Sequence, residues 1–96
     1  MTAPSVKAEA QVVNALGMHA RPAAEFVRMA STFQAKIRVA KGQVEVNAKS
    51  IMGVLMLAAE RGSTLVISAS GDDATGAVQA LQRLVADGFG EAGADD

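Results

Sequence analysis

Residues 6–30, VKAEAQVVNALGMHARPAAEFVRMA, carry the reading that decides the fold. Over residues 6–13, Val6, Ala8, Ala10 and Val12 fall to one side and Lys7, Glu9 and Gln11 to the other. A period of two is the mark of a half-buried strand. Asn14 to Pro22 reads as a loop with Gly17 near its middle. From Ala20 the period lengthens: Ala23, Phe26, Val27 and Ala30 follow helical spacing, with Glu25 and Arg28 left outward. Pro22 suits the first turn of that helix, where a missing N–H costs little.

Working outward, Ala35, Ile37 and Val39 alternate with Lys36 and Arg38, and Lys41-Gly42 turns the chain into Val44 and Val46. These predict a short hairpin. Asn47 to Ser50 is polar, and Ser50 is placed to N-cap a helix from Ile51 to about Arg61, with Gly62 at its C′ position. Thr64 to Ala69 is apolar and β-branched without clean alternation, which predicts a central strand. Ser70 to Asp73 turns, either Asp72 or Asp73 can cap the last helix, and Ala74, Ala77, Val78, Leu81, Leu84 and Val85 form its buried stripe up to Gly88. The remainder from Phe89 is small and acidic and is expected to fray. The order β-α-β-β-α-β-α, without repeat or linker, predicts an α+β fold: one sheet with helices on one face.

The chain has 96 residues, which argues for one domain over 1–96 with its core at about 5–89 and an acidic tail at 90–96. Half the residues are apolar, but with no Trp or Tyr and three Phe the core must be aliphatic and Ala-rich. No cysteine and one histidine exclude a disulfide framework, a thiolate zinc site and an imidazole-rich metal site. A formal net charge of −1 argues against broad nucleic-acid binding and leaves room only for a local basic patch. Neither a membrane-spanning apolar run nor a signal-peptide pattern is found, so the expectation is a soluble cytoplasmic domain.

The chemistry concentrates between Asn14 and Ala24. The only histidine, His19, stands where a loop meets a helix N-terminus. Imidazole titrates near neutrality and can act as a nucleophile at cellular pH. The first-turn N–H groups of a helix lack intrahelical acceptors, and the helix dipole favours an anion there. Arg21 offers a planar donor fork for phosphate or carboxylate oxygens. Together these describe a nucleophile beside a phosphate cradle. An isolated histidine at a helix start is more often a surface residue or a partial cap, so His19 and Arg21 alone favour that plainer reading.

The run Gly17-Met18-His19-Ala20-Arg21-Pro22-Ala23-Ala24 closely resembles the active-site signature of the HPr family, the histidine phosphocarriers of the bacterial phosphoenolpyruvate-dependent phosphotransferase system. A second run, Val46-Asn47-Ala48-Lys49-Ser50-Ile51-Met52-Gly53, resembles that family's regulatory-serine segment. The resemblance covers about residues 5–89. It implies an open-faced β-sandwich, a four-stranded antiparallel sheet with three helices on one side, needing no cofactor or metal. His19 would accept a phosphoryl group on Nδ1 from phosphorylated enzyme I and pass it to a histidine of an enzyme IIA domain, in sugar uptake or regulation. Arg21 would hold phosphoryl oxygens and Pro22 would shape the helix start. Such a protein carries a group rather than turning over a substrate. A monomer is expected, with a shallow surface site.

Ser50 has two roles open to it. As an N-cap it is worth about 1 kcal/mol. The resemblance adds phosphorylation by an HPr kinase/phosphorylase, which would set about two negative charges beside Ile51, Met52 and Leu55. An apolar stripe is more often core than interface, yet a short helix that is apolar almost all round cannot bury every side. Ile51, Met52 and Leu55 are therefore expected to form a docking patch, extended by Met18. Leu16-Gly17-Met18-His19 and the Gly88-Phe89 pair lean toward the nitrogen-related branch, NPr, whereas Lys49 to Gly53 leans toward HPr proper. Rival readings are weaker. An RNA-binding sheet would carry stacking aromatics, and none of the predicted strands has one. A small-ligand-sensing domain could use the Gly17 loop for an anion. A hydrolase would need a carboxylate to orient the imidazole, and the motif holds none.

Overall fold

The computed structural model describes residues 5–90. The strands are β1 (Ser5–Gln11), β2 (Lys36–Lys41), β3 (Val44–Asn47) and β4 (Thr64–Ser70); the helices are α1 (Ala20–Ser31), α2 (Ile51–Met56) and α3 (Ala74–Ala86). The strands form one antiparallel sheet in the order β1-β4-β2-β3. The order β-α-β-β-α-β-α is as expected from the sequence, and β4 is central.

The packing follows from alternation. Ala10 on β1, Ile37 and Val39 on β2, and Leu65, Ile67 and Ala69 on β4 point into a core completed by Phe26 of α1 and by Val78, Leu81 and Val85 of α3. Each of the larger side chains contributes roughly 1.5–3 kcal/mol by leaving water. α1 buries Pro22, Ala23, Phe26 and Ala30, the stripe its spacing predicts. The many alanines let the helices sit close to the sheet. Contrary to the sequence reading, β4 alternates cleanly. Leu65, Ile67 and Ala69 are buried while Val66 and Ser68 face the other way; apolar Val66 on the outer face masked the period.

Three local expectations are corrected. First, α2 ends at Met56, five residues before Arg61. Leu57 is its C-cap, Ala58 takes the left-handed conformation at φ 49°, and Ala59 is buried. Ala58 O accepts Lys41 Nζ at 3.1 Å and Ala59 O accepts Met18 N–H at 2.9 Å. Tertiary bonds thus end the helix, and Gly62 serves the turn into β4, where its N–H donates to Val12 O at 2.8 Å. Second, Asp73 stands at the N-cap of α3, but its carboxylate makes no capping bond. It accepts the N–H groups of Gln34 (2.9 Å) and Ala35 (2.8 Å), stapling the α1–β2 connection to the start of α3. The bond from Gln34 holds its carboxyl below the ordinary value, assisted by Ala35 and opposed by desolvation. Third, Phe89 does not fray. It is buried in a 3-10 turn, Gly88–Gly90, at φ 57°. The expectation of a frayed acidic tail beyond it falls on residues 91–96, outside the described residues.

Candidate functional site

The loop between β1 and α1 is fastened from three sides. Asn14 Nδ2 donates to Gly17 O at 2.8 Å, and Gly17 N–H returns a bond to Asn14 O at 3.1 Å. His19 N–H donates to Gly17 O at 2.9 Å, a tight turn about Met18. Met18 N–H reaches across to Ala59 O, past the end of α2. Gly17 is required twice over. Its φ is +67°, and a Cβ there would lie 2.5 Å from Ala59 O and 2.9 Å from Glu60 Cα.

This anchoring delivers His19 to the N-cap of α1. Its backbone is extended (φ −76°, ψ −170°), its carbonyl accepts Ala23 N–H at 2.9 Å, and its side chain makes no capping bond. The residue is partly exposed, within reach of a visiting macromolecule. Pro22, buried in the first turn, fixes the helix entry. Arg21, its side chain about half exposed, donates from Nη2 to Phe89 O at 3.3 Å; its Nη1 lies 4.0 Å from Glu25 Oε2, and Glu25 also meets Arg28 Nη1 at 3.2 Å. The guanidinium is thus held at the helix start by the Gly88–Gly90 turn and by its own helix. The structure brings His19, Arg21 and Pro22, the residues singled out from the sequence, together at the start of α1. Sequence reasoning missed the Phe89 carbonyl, a contact 68 residues away in the chain.

Ser50 N-caps α2: its Oγ accepts Gly53 N–H at 3.1 Å. Gly53 also lets α2 lie against β3, since a Cβ there would come within 3.2 Å of Val46 Cβ. α2 packs against α1, so the two sequence motifs occupy neighbouring helices. Six residues bury only Val54, leaving Ile51 (38%), Met52 (68%) and Leu55 (38%) exposed. Met18 does not extend this patch as expected. It is 4% exposed, drawn inward by the bond to Ala59. Leu16, 70% exposed, and Val13, 45% exposed, are the large apolar residues that this loop presents instead. Nothing in the sequence separates Leu16 from Met18, because both are apolar residues flanking Gly17.

The profile described as "PTS HPr component phosphorylation site" matches residues 6–87. The chain belongs to the PTS HPr family. It is 42% identical over 80 residues to a phosphocarrier protein HPr of Cupriavidus necator, covering 83% of this chain and 90% of that protein. It is 40% identical over 88 residues to a phosphocarrier protein NPr of Shewanella violacea, covering 90% and 97%. Among solved structures, HPr-C-His from Thermoanaerobacter tengcongensis superposes with a TM-score of 0.86 at 44% identity, covering 90% of this chain and 97% of that one. Membership of the HPr family makes this chain a phosphocarrier, in keeping with its open sheet and three helices. Near-equal identity to an HPr and an NPr leaves both branches open. No helix among the described residues is long and apolar enough to cross a membrane.

Proposed function

We propose that this chain is a cytoplasmic, single-domain carrier in which His19 is the phosphoryl acceptor. Its Nδ1 attacks the phosphorus of phosphorylated enzyme I; the new P–N bond forms as the donor's P–N bond breaks. The same group then passes to a histidine of an enzyme IIA domain by the reverse sense of the same displacement. Arg21 neutralises phosphoryl oxygens as they approach the start of α1, where the helix dipole adds to the attraction. Little else is asked of the protein, since such transfer rests on positioning and electrostatic stabilisation. Ile51, Met52 and Leu55 dock the partners. Phosphorylation of Ser50 by an HPr kinase/phosphorylase weakens that docking by placing charge at its edge.

The observation that carries this reading is His19 at the N-cap of α1, partly exposed and held there by the bond from Met18 N–H to Ala59 O. The test is incubation with enzyme I and labelled phosphoenolpyruvate. An acid-labile label is expected on the native chain and absent from His19→Ala, whose fold should be unchanged. Label retained by His19→Ala would overturn the assignment. Replacing enzyme I and IIA by their nitrogen-branch counterparts then reads which branch transfers faster.

A further inference from the structure

The exposed sulfur among the described residues lies on one short helix. The sequence holds five methionines and neither cysteine, tryptophan nor tyrosine, so the thioether is its most readily oxidised side chain. Among the described residues the methionines divide by exposure. Met18 is buried in the core, and Met29 is partly buried against it. Met52 and Met56 are 68% and 71% exposed. They lie four residues apart, which places them on one face of α2. The six residues of α2, Ile51-Met52-Gly53-Val54-Leu55-Met56, include no charge, so the polarity of that face can change only at its two sulfurs. Neither sulfur belongs to the core, and a change of polarity there leaves the packing of the domain alone.

We propose that Met52 and Met56 form a reversible oxidation site whose sulfoxide state releases the carrier from its partners. The oxidant is hydrogen peroxide. The thioether sulfur attacks one peroxide oxygen; the S–O bond forms as the O–O bond breaks, and sulfur gives up two electrons. The proton on the transferred oxygen passes to the leaving hydroxide, so the products are sulfoxide and water. A dithiol-dependent methionine sulfoxide reductase reverses the step: the dithiol becomes a disulfide and the oxygen leaves as water. Methionine is a flexible, apolar filler at a docking surface, whereas its sulfoxide is polar and chiral. A partner lying over α2 then has to bury two S–O dipoles where it had met thioethers, at a cost in affinity. Oxidation acts through the docking role proposed above for Ile51, Met52 and Leu55, and so rests on that reading; Met56 joins them on the exposed surface of α2. His19 is untouched, so the transfer chemistry is unaltered and only the encounter weakens.

The test treats the full chain with hydrogen peroxide at neutral pH and then removes the peroxide. Tryptic fragment 50–61 carries both Met52 and Met56, whereas Met18 and Met29 fall on fragments 8–28 and 29–36. Mass spectrometry should show two added oxygens on 50–61, gained about tenfold or more faster than the single oxygens of the other two fragments. Phosphorylation of the oxidised chain by enzyme I should show a KM raised about tenfold or more, with kcat within about twofold of the untreated chain. Its thermal midpoint should stay within about 3 °C. The reductase and a dithiol should restore mass and KM together. In Met52→Leu/Met56→Leu, whatever its starting KM, peroxide should leave KM where it was. Comparable oxidation of Met18 and Met29, an oxidised chain with an unchanged KM, or an equal rise of KM in the double variant would each overturn the proposal. An untreated chain that takes no label from enzyme I would instead overturn the phosphocarrier reading, and the release step with it.

Discussion

Replacing Gly17 by Ala should damage both the fold and phosphoryl transfer, and the size of the damage can be worked out. The left-handed φ of +67° costs an alanine about 1–2 kcal/mol, of which roughly 0.4–1 is returned by the less flexible unfolded chain. The new Cβ would also lie 2.5 Å from Ala59 O, so the loop must back away. Overpacking of this kind costs about 1–3 kcal/mol, and strain on the Met18–Ala59 bond adds about 1. The sum is roughly 4 kcal/mol, tolerable against a typical stability of about 5–15 only in the upper part of that range. Gly42→Ala is the control: its φ is +60° but nothing lies within 4 Å, so it should lose only about 1 kcal/mol. Urea denaturation gives both values, and their difference isolates the contact with Ala59. Faster amide exchange at Met18 and a phosphoryl-acceptance rate reduced up to about a hundredfold should accompany Gly17→Ala, because His19 moves with the loop. Equal losses for the two variants, within about 0.5 kcal/mol, would refute the packing argument.

Arg21→Ala should slow transfer while costing no more than about 1 kcal/mol, the worth of its partly exposed bond to Phe89 O; rapid-quench phosphorylation and thermal melts separate the two effects. Ser50→Ala should lose about 1 kcal/mol of cap in urea titrations yet leave partner affinity unchanged, whereas Ser50→Asp, itself a competent cap, should keep stability and weaken enzyme I binding by calorimetry. Ala58→Gly should stabilise the chain by about 0.5–1 kcal/mol, since glycine accepts the φ of 49° at the end of α2; an unchanged urea midpoint would count against strain there. Asp73 has a depressed carboxyl pKa relative to the ordinary 3.8, so its stabilisation is complete above that value and disappears as pH falls through the lower folded one. The urea midpoint of wild type should therefore exceed that of Asp73→Ala at about pH 6, and the gap should close as pH falls below the ordinary 3.8 and through the lower folded value; a constant gap would show that the carboxylate bonds to Gln34 and Ala35 contribute nothing.

What could be read from the sequence was whatever a few neighbouring residues decide. The switch from period two to helical spacing placed β1 and α1, and Ser50 was legible as a cap because its partner, Gly53 N–H, lies three residues on. The errors share a different cause. Asp73 looks like a helix cap until the distant Gln34 and Ala35 amides claim its carboxylate. Phe89 looks like the start of a tail, but Gly88 and the left-handed turn fold it back into the core. Met18 and Leu16 have the same local chemistry, and only the bond from Met18 N–H to Ala59 O sends one inward and the other out. Each of these three involves a backbone group satisfied from far along the chain, Phe89 O by Arg21 included, which no local pattern records; the alternation of β4 was hidden instead by apolar Val66 on its outer face.

The early end of α2 is the element on which the rest of the site depends. Had the helix continued to Arg61, Ala59 O would accept the N–H four residues on, that of Ser63, and be lost to Met18. Instead Ser63 N–H bonds Glu60 O and Ser63 Oγ takes Glu60 N–H, closing a turn that leaves Ala59 O facing the histidine loop. Ala58 bears a left-handed φ to make this so. The same truncation leaves α2 too short to bury more than Val54, which keeps Ile51, Met52 and Leu55 at the surface beside α1. A single interrupted helix therefore does two things: it anchors the loop that carries His19 and it exposes the apolar side chains next to it. A longer, more stable α2 would forfeit both, so the strain at Ala58 is better understood as a condition of the site than as a defect of the fold.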